Sequence, residues 1–291
     1  MIMVNGISKQ LGRFQLNDIT FDLPSGYICG LVGQNGAGKT SLLHLILGLY
    51  HEDAGKISVD GMDYDNDEKA IHDRIGTVLV EELFIPELSI KENADYFGKY
   101  YSKYSWEKME DYLRKFKLMD DKNGRGGQQF GKLSRGQKLK CQFAFALSYD
   151  PEILILDEPT GNFDPDFREQ FFEILKEFIS DGTKTVILAT HLTDDLDRLA
   201  DYLIYLEDGK QVFAGDIESF HNEYRIVSGE KYKLKLLRKE SLINIEEKKY
   251  SAKALVHHRK AYKYDPEVQV TVPTIEEFMY LYSKRDKTCS R

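Results

Sequence analysis

The sequence predicts an α/β fold: a β-rich N-terminal portion, a mostly parallel core sheet, an inserted helical subdomain and a small α+β unit at the C-terminal end. Three observations predict it. Apolar runs of strand length at 27–32, 75–80, 153–156 and 186–189 are separated by segments of helical periodicity, the βαβ rhythm of parallel strands with right-handed crossovers. Between residues 86 and 132 the composition turns helical. Beyond about residue 216 a further set of alternating and capped segments begins.

Residues 2–32 alternate short apolar stretches with turn residues, and Ile19, Phe21 and Leu23 fall at period two before Pro24-Ser25-Gly26. The run 27–32 reads as a buried strand and leads into Gly33-Gln34-Asn35-Gly36-Ala37-Gly38-Lys39-Thr40. Behind it Leu42, Leu43, Ile46 and Leu47 recur at helical spacing. Strand, glycine-rich turn, Gly-Lys-Thr and helix form a phosphate-binding loop. Its glycines let consecutive N–H groups turn inward around an anion, and the helix N-terminus adds a favourable dipole. Gly33, Asn35, Gly36, Gly38, Lys39, Thr40 and Ser41 are therefore the nucleotide-binding candidates. Lys39 is expected at the β- and γ-phosphates and the Thr40 hydroxyl on Mg²⁺. An ordinary turn before a helix accounts for two of the glycines but not for Gly-Lys-Thr in this context.

Residues 56–59 with the Asp60-Gly61 turn give a strand end, and 75–80 another strand. In the helical stretch Tyr96, Phe97, Tyr100, Tyr101 and Tyr104 stand three and four apart, which places them on one face, and 106–118 reads as an amphipathic helix. Leu133-Ser134-Arg135-Gly136-Gln137 precedes a helix running to Tyr149, which Pro151 stops. The strand 153–156 ends in Asp157-Glu158; helix 165–180, strand 186–189 and helix 192–200 follow. The hairpin 202–214, turning at Asp208-Gly209, closes a nucleotide domain over 1–215, with its helical subdomain at about 86–150. In 216–291, residues 231–236 and 267–272 alternate at strand period, and Thr274 with Glu277 makes a capping box for a helix over 275–283.

Asp157 and Glu158 end a hydrophobic strand, where a doubly wound sheet presents ligands. Asp157 is placed to hold Mg²⁺. Glu158 is placed to polarise the attacking water, because γ-phosphoryl hydrolysis needs an oriented, in-line water more than a strong base. His191 follows another apolar strand; a histidine there is either a capping polar group or a ligand contact, and the convergence of the strand ends before Gly33, Asp157 and His191 on one edge favours a γ-phosphate contact. Ser134-Arg-Gly-Gln is either a plain N-cap or a second anion site that serves the nucleotide of another subunit.

Composition narrows the function classes. With 291 residues, 30% of them charged, a mean hydropathy of −0.46 and no apolar run near the roughly 20 residues of a membrane span, a soluble protein is expected. No secretory signal is evident. Cys29, Cys141 and Cys289 lie far apart in odd number, with neither a disulfide framework nor metal-ligand spacing, which fits a reducing cytosol. The net charge of −8 argues against non-specific nucleic-acid binding, a local basic face aside, and no nucleic-acid partner is expected.

Residues 33–40, 133–137, 153–158, Gly161-Asn162-Phe163-Asp164 and His191 occur in the order found in ATP-binding cassette (ABC) ATPases, which this chain resembles over about residues 1–215. In that family they are the Walker A, signature, Walker B, D-loop and H-loop elements. The resemblance implies the cofactors ATP and Mg²⁺ and two cassettes facing head to tail, homodimer or heterodimer. ATP lies between Walker A of one cassette and the signature of the other. Ser134, Gly136 and Gln137 would then meet the nucleotide in trans, and Asp164 would couple the two sites. Leu11 stands where the family has an adenine-stacking aromatic, so either Leu11 makes apolar contact or Phe14 substitutes, unless Phe14 is core. A gapless comparison puts Val80 at the Q-loop glutamine, which leaves Glu81 or Glu82 to serve, Glu81 being the metal candidate. Arg135 replaces the second glycine of the signature.

The same resemblance implies a cytoplasmic subunit held at the inner membrane face by a separate integral membrane permease. A helix of the permease would seat between the Q-loop region and the helical subdomain, where the aromatic face is expected to be mostly core, with one or two tyrosines left for the partner. Chain length and tail look like exporters of peptide, antibiotic or lipid-like cargo. The alternative, an ABC ATPase of DNA repair, chromosome structure or translation, lacks its signs here: long heptads, zinc cysteines or a second cassette. Residues 216–291 are expected either to help pair the subunits or to cover one face of the sheet, and His257-His258-Arg259-Lys260 to be a solvated basic turn.

Overall fold

Period-two burial builds the first hairpin. The computed structural model describes residues 1–79, 83–119, 127–261 and 264–285. In it β1 (Ile2–Leu11) and β2 (Phe14–Leu23) pair antiparallel, with Leu11 opposite Phe14. Leu16, Ile19, Phe21 and Leu23 are buried while Gln15, Asn17, Thr20 and Asp22 face solvent. Asp18, at φ 54°, marks the bulge that keeps that alternation in phase across the register shift.

The strands that follow are buried on both faces. β3 (Ile28–Val32) precedes α1 (Lys39–Ile46); β4 (Ala54–Val59) pairs with the outer edge of β1. Then come α2 (Tyr64–His72), absent from the sequence expectation, and β5 (Ile75–Val78). The helical insertion holds α3 (Ile90–Gly98), α4 (Trp106–Lys115) and α5 (Arg135–Ser148). After it run β6 (Ile153–Asp157), α6 (Pro165–Ile179), β7 (Thr185–Ala189) and α7 (Thr193–Leu199). The hairpin of β8 (Tyr202–Glu207) and β9 (Lys210–Asp216) closes the unit.

These strands form one sheet in the order β4-β1-β2-β9-β8-β3-β7-β6-β5. The segment β8-β3-β7-β6-β5 is parallel throughout, so the C-terminal ends of β3, β7 and β6 lie side by side. One apolar cluster fills the α1 face of the sheet and a second the face covered by the insertion and α6.

The aromatic face expected in the insertion is not one helical face. α3 ends at Gly98, where a Cβ would lie 2.4 Å from the Tyr104 ring, so Tyr100, Tyr101 and Tyr104 come from the turn beyond it. Phe97, Tyr101 and Tyr104 pack on the core, whereas Tyr96 and Tyr100 are 46% and 61% exposed.

The last part comprises α8 (Ile217–Glu223), β10 (Tyr224–Glu230), α9 (Lys231–Leu234), β11 (Leu242–Glu247), β12 (Ser251–His257), α10 (His258–Ala261), β13 (Gln269–Thr271) and α11 (Ile275–Ser283). Its sheet runs β11-β12-β10-β13, all antiparallel. Residues 231–236, expected as a strand, instead open with the short helix α9: Lys233 and Leu234 are buried and Leu236 is 76% exposed, which is not period two. β10, which leads into that segment, is already flanked on both sides by β12 and β13. Phe278 of α11 joins this part to the first, its ring 5.3 Å from Tyr205 of β8 and 4.6 Å from Tyr224.

Candidate functional site

The loop after β3 is shaped by what its glycines exclude. A Cβ on Gly33 would stand 2.5 Å from the Leu206 carbonyl oxygen, and one on Gly38 2.6 Å from Leu16 and 2.8 Å from the Phe14 ring. Gly36 and Gly38 have φ of 81° and 106°, open to glycine and strained for other residues. Lys39, 8% exposed, donates from Nζ to the Gly33 carbonyl at 2.9 Å, arching over its own loop. Burial holds its ammonium below the usual lysine range, against the pull of Glu158 and Asp157.

Asp157 closes β6 beside this loop. It is 2% exposed and accepts the Thr40 hydroxyl at 2.9 Å. Burial raises its carboxyl above the ordinary aspartate range, and the Thr40 bond only partly opposes that. A buried carboxylate paired with a hydroxyl beside a glycine cradle is a donor set suited to a hard divalent cation. Glu158 follows at φ 50°, a strained position for a non-glycine residue, with its N–H on the Ala189 carbonyl at 2.8 Å. That turn sends its carboxylate to the end of β7, where Oε2 meets Nδ1 of His191 at 2.5 Å.

A cleft of about 520 Å³ lies over the loop. Asn35, Gly36, Gly38, Lys39, Thr40 and Ser41 line it with Asp157 and Glu158, and Leu11 and Phe14 form its apolar wall. The geometry thus brings together the candidates from the loop, β6 and Phe14, with His191 bound to Glu158. Glu81, the remaining metal candidate, and the Val80 and Glu82 positions lie outside the described residues.

The 133–137 corner is elsewhere. Among the described residues lining the cleft none comes from it. Ser134 caps α5, accepting from the Gln137 N–H at 3.3 Å, while the Gln137 side chain accepts the Ser134 N–H at 2.9 Å. Both residues are exposed. Gly136 lies against the Asn162 carbonyl, 2.5 Å from where its Cβ would be. Asp164 caps α6 through the Phe167 N–H and pairs with Lys140, each at 2.9 Å.

One feature escaped sequence reasoning. Asp195, fully buried, accepts from Thr160 and Arg168; nothing in the spacing of these three residues signals that they meet. An apolar groove of about 670 Å³ runs between α2, β5 and the insertion, walled by Phe84, Phe97, Tyr101 and Phe145, with Glu68 and His72 from the unanticipated α2. Gln142 lines it, and its buried amide oxygen has no hydrogen-bond partner among the described residues.

Residues 16–161 match the family described as ABC transporter. The Nod factor export ATP-binding protein I of Burkholderia lata is 34% identical over 212 residues, 72% of this chain and 68% of that protein. The protein of the same name from a Rhizobium species is 32% identical over 75% of this chain and 72% of its own length. A bacterial ABC transporter cassette solved as a dimer is 26% identical, with a TM-score of 0.64 over 75% of this chain and 99% of that one. A dimeric ATP-binding cassette in a post-hydrolysis state with ADP and Pi is 25% identical, with a TM-score of 0.65.

Proposed function

Because the chain belongs to the ABC transporter family, as an ATP-binding subunit that hydrolyses ATP, we propose that two such subunits close head to tail over the nucleotide and drive export through a separate permease. The observation that carries this is the separation of the two anion-seeking corners: Ser134 and Gln137 are exposed and line no part of the chain's own cleft among the described residues. A second cassette, another copy or a related chain, would receive them. Ser134, Gly136 and Gln137 then complete its site, and Asp164, at the head of α6 beside that corner, links the two.

Within one site the backbone from Gly33 to Ser41, Asn35 included, receives the phosphates, and Lys39 exchanges its bond to the Gly33 carbonyl for one to phosphate. Thr40 and Asp157 would hold Mg²⁺, which supplies charge neutralisation across the phosphates when bound. Glu158 orients and polarises the attacking water, and His191 fixes the Glu158 carboxylate and reaches toward the γ-phosphate. Phe14 with Leu11 offers the adenine an apolar wall.

No helix among the described residues is long and apolar enough to cross a membrane; in this reading the permease does so, and the chain sits at the cytoplasmic face. The groove under α2 takes a helix of the permease, with its orphaned Gln142 amide and the exposed Tyr100 as contacts. The relatives' names support export over a role on DNA or the ribosome, and the cargo proposed is peptide, antibiotic or lipid-like. The Glu158→Gln variant tests the engine. It is expected to lower turnover by about two orders of magnitude or more and to accumulate an ATP-loaded dimer on size-exclusion chromatography. Normal turnover removes Glu158 from its role.

A further inference from the structure

The loops carrying Glu158 and His191 are tied together twice. The first tie is the Glu158 carboxylate, whose Oε2 meets Nδ1 of His191 at 2.5 Å and accepts the His191 N–H at 3.3 Å. The second is buried: Asp195, four residues past His191, accepts the Thr160 hydroxyl at 2.8 Å and Nε of Arg168 at 2.9 Å, with Nη2 of Arg168 on the same oxygen as Nε. Asp195 is 0% exposed and Thr160 3%. None of the three lines the nucleotide cleft among the described residues.

The path from this tie to the chemistry is short. Thr160 opens the 3-10 turn Thr160–Asn162, separated from Glu158 only by Pro159, whose ring fixes its own φ. On the other strand, α7 starts at Thr193 and puts Asp195 in its first turn. Two short, stiff links thus run from one buried carboxylate, one to Glu158 and one to His191. Freeing either partner would leave a buried polar group unpaired at about 1–3 kcal/mol, so the tie does not open casually. Buried ion pairs add little net stability but are suited to fixing geometry.

From this geometry we infer that Thr160, Asp195 and Arg168 are positioning residues for hydrolysis: their bridge sets the distance and angle between Glu158 and His191, and so where Glu158 holds the attacking water. The inference rests on the hydrolytic role of Glu158 given above. Misplacing a reacting group by about 1 Å lowers rate by up to about two orders of magnitude, so loss of the bridge is read in kcat and not in ATP affinity.

Thr160→Val keeps the side chain's shape and deletes only the hydroxyl; Thr160→Ser keeps the hydroxyl. In the full-length chain Thr160→Val is expected to lower kcat about tenfold or more, with ATP affinity, measured in the Glu158→Gln background, unchanged. The ¹⁵N ring signals of His191, which Thr160 does not touch, should move. Thr160→Ser should restore both kcat and the signals. Wild-type kcat in Thr160→Val with unmoved His191 signals would overturn the inference, as would Thr160→Ser impaired equally. Should Glu158→Gln alone turn over normally, the hydrolytic reading has failed instead; an inactive Glu158→Gln beside a fully active Thr160→Val defeats only the positioning role.

Discussion

A buried carboxylate is costly in its charged form, and Asp157, at the floor of the cleft, is only 2% exposed. Burial raises its pKa, which means the folded chain holds that proton more tightly than the unfolded one. The sign follows: the charged form that prevails at neutral pH opposes folding, and stability from this group is present at low pH and lost as pH rises through its raised pKa. Asp157→Asn in nucleotide-free protein is therefore expected to raise Tm at pH 7–8, with the gain shrinking as pH falls toward the ordinary aspartate value of 3.8, while ATP turnover is lost. A lower Tm at neutral pH would contradict this. Phe14 is proposed for the adenine wall in place of an aromatic at Leu11. It lies directly opposite Leu11, and residues so paired share a face of the sheet. Phe14 thus lines the cleft beside Leu11, while its ring also packs on the loop at Gly38. Stacking of a base on an aromatic ring contributes about 1–3 kcal/mol, so Phe14→Ala should weaken ATP binding about tenfold or more in fluorescence titrations, with Leu11→Ala weaker in effect. Unchanged affinity in Phe14→Ala would assign that ring to the core.

Elements were legible where a local signal sufficed. The glycine-rich loop, the strands buried on both faces, and the Thr274-Glu277 capping box all carry their instructions within a few residues, and the last opens α11 with the hydrogen bonds it implies. Where tertiary context decides, the sequence misleads or is silent. α2 buries only Ile71 and bends at Asp67, so it has no apolar period to read, and its start depends on the Asp63 cap accepting from the Asn66 N–H. Lys231-Tyr-Lys-Leu-Lys-Leu alternates as a strand would, yet Lys233 is drawn inward to pair with Glu267 and the helix α9 forms there. That residues 216–291 cover a face of the sheet was one of two expectations, but the residues of α11 and β8 that meet were not legible, because they lie far apart in the chain. Phe278 is fully buried among Tyr205, Phe220 and Tyr224, and Asp197 of α7 accepts the Ile275 N–H at 3.0 Å. Phe278→Ala should destabilise by about 3–5 kcal/mol, and residues 1–215 and 216–291 should melt together in one calorimetric transition. Two separated transitions would mean that the contact does not couple the parts.

At the scale of the whole molecule, the site arises from topology. Gly33, Glu158 and His191 are far apart in sequence but follow three parallel strands that are neighbours in the sheet, β3, β6 and β7, so their motifs announced the convergence that the sheet order then shows. The buried bridge through Asp195 was not legible, since Thr160, Arg168 and Asp195 meet only once α6 and α7 have packed. In the head-to-tail reading proposed above, a single chain does not contain a finished site: its cleft is lined by the phosphate loop, Asp157 and Glu158, and Ser134 is exposed and lines no part of it among the described residues. Mixing two inactive variants tests that division of labour most directly. Lys39→Ala disables a chain's own cradle and Ser134→Arg disables the corner it lends, so each pure dimer has two broken sites, whereas a mixed dimer has one intact composite site. Independent sites in randomly mixed symmetric dimers predict that ATPase activity returns to about one quarter of the wild-type level. A mixture that stays at the level of the separate variants, while mixed dimers are shown to form, would contradict the account.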